Sequence, residues 1–209
     1  MRTRILGLLK FVTLSVAALA LFTLGQGVAR ADTVTFSTAG SFNGGSNSIV
    51  FGAGANLTTI TFTGVNSSVN ANPFTFASLG EFQTVVTGAG AAIDPGTTFT
   101  LTINQTDPSV GSGVLFATLS GTIEQNASTG LVTFSVSSVQ IGNITYALTN
   151  NPLPLVPPST NNGVTTVQSQ ITAAPVPEPA TLFLLGTGLS GLAAAARRRR
   201  KAGKRAEDQ

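Results

Sequence analysis

The chain has 209 residues with eleven Lys or Arg against eight Asp or Glu, and it contains no His and no Cys. Disulfides, Cys/His zinc centres, cysteine nucleophiles and Ser-His-Asp triads are therefore excluded. All the cations lie before residue 32 or after residue 196. The stretch 32–174 carries only Asp32, Glu81, Asp94, Asp107 and Glu124, a net charge of −5, and nothing in it neutralises phosphate, which excludes nucleic-acid binding.

Residues 1–31 read as a secretory signal peptide. Arg2, Arg4 and Lys10 form a positive start, and Phe11 to Leu24 is an apolar run broken by Thr13, Ser15 and Thr23. Ala29-Arg30-Ala31 then supplies small residues at both recognition positions of a signal peptidase site, with Asp32 as the new N-terminus. An uncleaved anchor is the alternative, and the run is short for a spanning helix.

Residues 32–174 are expected to form one domain with the period of β-structure throughout. Val34 and Phe36 open a first strand. Thr59-Ile60-Thr61-Phe62-Thr63 alternates strictly, as do Thr98 to Ile103, Val132-Phe134-Val136 and Ile144-Tyr146-Leu148; Phe82 to Val86 makes another strand. Leu115 to Ile123 suggests one long strand, and Thr122 to Val136 a hairpin around Asn126 to Gly130. Asn43-Gly44-Gly45, Asp94-Pro95-Gly96, Asp107-Pro108-Ser109, Ser128-Thr129-Gly130 and Asn161-Asn162-Gly163 are turn sequences. Asn151 to Pro158 is Pro-rich and reads as an ordered loop or edge segment before a last short strand, Val164 to Ile171. Eight to ten strands so spaced predict an all-β antiparallel sandwich or jelly roll. One face of each sheet would pack Phe, Ile, Leu and Val, and the other would be solvated by Thr, Ser and Asn. Without Lys, the edges would have to be guarded by Pro and Gly irregularities.

Within this domain the carboxylates are the conventional chemical groups. Asp94 and Asp107 each precede a proline, where an Asp side chain caps its own turn; the alternative is a Ca²⁺ site, for which no Asp-x-Asp-x-Asp spacing speaks. Glu81 and Glu124, read as lying near strand ends, are the pair that a hydrolase would use. The Thr-x-Thr stretches at 33–35, 59–63 and 98–100 would suit ice or another ordered surface, but Thr is also the best polar strand former and no solenoid repeat stacks these stretches. Sugar platforms favour Trp and Tyr, and only Tyr146 is present.

The C-terminal end, 175–209, has three parts. Pro177-Glu178-Pro179 forms a stiff hinge. Ala180 to Ala196 is an apolar, small-residue run that would span roughly 25 Å as a helix. Arg197, Arg198, Arg199, Arg200 and Lys201 make a basic stop that fixes the tail on the cytoplasmic side. This end resembles the PEP-CTERM sorting signal, also catalogued as an ice-binding protein C-terminal domain. The resemblance implies transient anchoring in the inner membrane, recognition of the Pro-Glu-Pro triplet by an exosortase, removal of the helix, and release to the cell surface, often alongside exopolysaccharide. The resulting expectation is a secreted, non-enzymatic surface or matrix protein that needs no cofactor. Its partners would be signal peptidase and exosortase, with exopolysaccharide as a further candidate. The competing readings are a carbohydrate-binding module, with or without Ca²⁺, and an ice-binding protein.

Overall fold

A computed structural model of the chain describes residues 32–174 and 184–191. Residues 32–174 lie in one compact unit and 184–191 in a second.

The first unit is an all-β sandwich of two six-stranded sheets in which neighbouring strands pair antiparallel. With strands numbered along the chain, the first sheet runs in space from β13 (Leu153–Pro154) through β10 (Leu131–Phe134), β8 (Gly111–Ser120), β7 (Thr98–Asp107) and β1 (Asp32–Phe42) to β4 (Asn66–Ala71). The second runs from β11 (Ser138–Ile141) through β12 (Ile144–Leu148), β14 (Val164–Ala173), β5 (Phe74–Thr87) and β3 (Asn56–Thr63) to β2 (Ser48–Ala53). A small sheet pairs β6 (Ala91–Ala92) with β9 (Thr122–Ile123).

Alternation decides which side of each strand enters the core. In β7, Phe99, Leu101 and Ile103 are buried while Thr98 is exposed. Phe42, Phe62, Phe82 and Phe99 stack across the two sheets with ring centroids 4.8 to 6.3 Å apart. Edge-on and tilted aromatic contacts of this kind add about 0.5–1.5 kcal/mol each beyond the area they bury. Gly40 and Gly80 let the rings close up, because a Cβ at either position would collide with Phe62.

The inner faces also hold polar side chains, most of them placed to satisfy a backbone group. Thr38 Oγ1 donates to Leu79 O at 2.7 Å and accepts from Val65 N–H at 2.9 Å, tying β1 to β5 across the sandwich. Thr58 Oγ1 donates to Ile123 O at 3.0 Å and accepts from Ala91 N–H at 2.9 Å, which fastens the small sheet to β3. Thr84 Oγ1 lies within reach of both Val156 O, at 2.8 Å, and Gly163 O, at 3.1 Å, and Thr165 Oγ1 accepts from Val156 N–H at 3.0 Å. These bonds hold the Pro-rich segment against the second sheet. Leaving a buried polar group unpaired is costly, and the Ser169 hydroxyl is the exception, buried without a partner among the described residues.

In β5 the pairing with β14 steps from Glu81 opposite Thr166 to Ser78 opposite Gln168. Leu79 and Gly80 are both buried at this bulge, and Gly80 has φ +127°. One extra residue reverses which side chains face out. Phe74, Phe76 and Ser78 are the outward set before the bulge, and Glu81, Gln83 and Val85 the outward set after it.

Several sequence expectations are corrected by this arrangement. The described residues contain fourteen strands rather than eight to ten, because β2, β4, β11 and three two-residue strands carry weak alternation. The expected long strand from 115 to 123 breaks at Gly121, whose φ of +99° separates β8 from β9. The hairpin expected over 122–136 forms only at its tip, where Ile123 bridges Ser128 and Thr129 N–H donates to Thr122 O at 2.9 Å; β10 pairs instead with β8, Ser120 opposite Leu131, and Thr122 and Ile123 also pair with β6. The last strand is ten residues long and central, with β5 and β12 on either side. Glu81 lies inside β5, well away from a strand end. The Pro-rich segment does supply an edge strand of the first sheet, containing Pro154, and one edge of the second sheet, β2, contains Gly52 at φ +91°.

Candidate functional site

Glu81, Asp94, Asp107 and Glu124 are all exposed and sit on different elements. Glu81 is on the outer face of the second sheet, between Thr63 and Thr166. Asp94 lies in the turn before β7, where its carbonyl, rather than its carboxylate, accepts from Thr97 N–H at 3.2 Å and Thr97 Oγ1 at 2.7 Å. Asp107 ends β7 opposite Thr35 on the first sheet. Glu124 follows β9, its N–H bonded to Ala127 O at 2.8 Å. Among the described residues no three Asp, Glu, His or Cys gather where they could hold a metal ion.

The Thr-x-Thr stretches divide between the two outer faces. Thr59, Thr61 and Thr63 belong to the second sheet, where Val50, Val85, Gln83 and Glu81 interrupt them. Thr33 and Thr35 belong to the first, where their hydroxyls are within 3.1 Å of Asn70 Oδ1 and 3.0 Å of Ser68 Oγ. The rows on β1 and β3 therefore face in opposite directions and form no common plane.

A different cluster appears on the outer face of the first sheet. Register places Thr133 of β10 beside Thr118 of β8, and Thr118 beside Thr98 of β7. One pleat along, Phe116 lies opposite Thr100 and is 60% exposed. Together with Ser135 these residues line a shallow depression of about 420 Å³. Ser135 fixes the strand beneath the ring, since its N–H and Oγ both donate to Phe116 O, at 2.8 and 3.1 Å. Thr98 Oγ1 donates to Asn43 Oδ1 at 3.2 Å. The hydroxyls of Thr100, Thr118 and Thr133 make no hydrogen bond among the described residues. The sequence carried a signal for this cluster. Leu115, Ala117 and Leu119 point inward, so Phe116 had to stand out beside Thr118 and Ser120.

Residues 184–191 are helical. Thr187 Oγ1 donates to Leu184 O at 3.1 Å and Ser190 Oγ to Gly186 O at 2.7 Å, so both hydroxyls are satisfied by the helix's own carbonyls. Among the described residues no helix is long and apolar enough to cross a membrane. Ala29, Ala31, Pro177, Glu178, Pro179 and the basic run Arg197 to Lys201 lie outside the described residues.

Residues 175–200 match the family description of the PEP-CTERM protein-sorting motif. The match covers the Pro-Glu-Pro triplet, the apolar run and the four arginines, and it indicates a secreted protein sorted by an exosortase. No curated protein and no solved structure matches the chain significantly.

Proposed function

We propose that this chain is a non-enzymatic structural or adhesive protein of the cell surface or extracellular matrix. It is delivered as a precursor whose two ends are addresses. Signal peptidase cuts after Ala31. The run from Ala180 to Ala196 then holds the chain in the inner membrane, its basic stop in the cytoplasm, until an exosortase cuts near Pro177-Glu178-Pro179. The matched segment at 175–200 carries this reading. It is supported by a domain without His or Cys whose described carboxylates are exposed and separate. A sandwich pinned by buried threonine hydroxyls suits a protein that must persist outside the cell without disulfides. Exopolysaccharide is its natural setting.

Intact-mass analysis of the protein recovered from the cell surface tests this. The expected mass is that of a chain beginning at Asp32 and lacking 180–209. A surface form that retains 180–209 would overturn the processing step, and turnover of a glycan abolished by Glu81→Gln or Glu124→Gln would overturn the non-enzymatic assignment.

A further inference from the structure

We infer that the depression around Phe116 on the outer face of the first sheet is a binding subsite for a neutral polysaccharide. A pyranose is amphipathic: its C–H face packs on an aromatic ring and its rim is edged with hydroxyls. Phe116 offers the ring, on the outer face of the sheet and 60% exposed. Thr100, opposite it, and Thr118 and Thr133, one pleat along, offer hydroxyls that both donate and accept and are not used within the domain. Adjacent strands are about 4.8 Å apart, so the row Thr133-Thr118-Thr98 repeats on the length scale of one sugar ring laid across the strands.

Charge selects the polymer. None of the lining residues is ionisable, and the domain around them carries carboxylates without a single cation. An anionic polysaccharide is repelled, and a neutral one is not. The exposed ring also breaks the flatness that an ordered crystalline surface would need, which separates this subsite from ice binding. A phenylalanine platform was not expected from a sequence poor in Trp and Tyr. Phe lacks only the polar handle of those residues, and here the flanking threonines supply it.

The inference rests on the matrix setting proposed above for its biological context, but its test is independent of processing. The domain 32–174, a compact unit with its own core and free of the basic ends that would themselves bind an anionic polymer, is run by native affinity electrophoresis through gels containing hydroxyethylcellulose, galactomannan or dextran as neutral polymers, and alginate as the anionic one. Retardation is expected with at least one neutral polymer and not with alginate. Phe116→Ala should weaken it about tenfold, the loss of one stacking contact, and Phe116→Trp should strengthen it. Thr118→Val, which keeps side-chain volume, should also weaken it. Melting curves establish that each variant is folded; because Phe116 is exposed, its truncation leaves the core intact. Absence of retardation in every neutral gel, preference for alginate, equal retardation of Phe116→Ala and the parent, or loss caused instead by Phe74→Ala and Phe76→Ala on the opposite sheet would each overturn the inference. None of these results would bear on whether residues 180–209 are removed.

Discussion

Tyr146 in β12 donates its phenol proton to Gln105 Oε1 in β7 at 2.9 Å, a hydrogen bond that passes through the core from one sheet to the other. Gln105 is held in turn by its Nε2, which donates to Ser109 O at 2.9 Å. Phe36 packs edge-on against the Tyr146 ring at 5.5 Å. Burial strips water from the phenol and raises its pKa well above the ordinary value of 10.0. The unfolded chain therefore loses this proton at a lower pH than the folded one. The stabilisation is complete below about pH 10 and is lost as pH rises beyond it. The urea midpoint should fall in the alkaline range, and Tyr146→Phe should flatten that fall. At neutral pH the same variant leaves Gln105 Oε1 buried without its donor and should cost about 1–3 kcal/mol.

Gly40→Ala should destabilise the domain by about 1–3 kcal/mol, because the added methyl meets the rings of Phe62 and Phe99 and the core has no slack to absorb it. Gly45→Ala is the internal control. Its Cβ would make an ordinary contact of 3.7 Å with Phe42 O, and its urea midpoint should match that of the parent. Equal midpoints for both variants would show that the ring cluster is loosely packed.

Thr84→Val removes the hydroxyl shared by Val156 O and Gly163 O while conserving volume. A loss of about 1–3 kcal/mol is expected, and the segment 155–163 should become the first site of limited proteolysis. Thr84→Ser should restore both properties. Cleavage elsewhere in the Thr84→Val variant would mean that the Pro-rich segment is held by other contacts.

The scattered carboxylates predict indifference to divalent ions. Adding EDTA or millimolar calcium to the full-length protein should leave its melting temperature unchanged. A calcium-dependent rise removed by Asp94→Asn or Asp107→Asn would contradict this.

The fold class was legible because β7 and β3 alternate Thr with Phe, Ile and Leu so regularly that no helical period competes. Core threonines were not legible. Thr58 and Thr59 are neighbours in one polar-looking run, yet only Thr58 is fully buried, because Ile123 O and Ala91 N–H arrive from distant segments to meet it. The reversal of faces in β5 was hidden for a similar reason. Gly80 is visible in the sequence, but its bulge is defined by β14, almost ninety residues further on. The sorting segment was the easiest part to read, since its three parts are contiguous and are recognised as chain rather than as fold. The Phe116 cluster needed register, because Thr98, Thr118 and Thr133 meet only once three strands are aligned.

The position of β14 has a consequence for assembly. This strand is the last of the domain, ending at Ala173, and it is the piece that joins β11 and β12 to β5, β3 and β2. Until it arrives, the second sheet exists as two unconnected halves, and the first sheet has only part of a partner to cover. The second sheet therefore cannot close around β5 and β12 before the whole of 32–173 is available. The closing strand lies immediately ahead of the matched segment at 175–200. Truncation within β14 should accordingly cost the whole sandwich, where loss of an edge strand would cost only its own contacts.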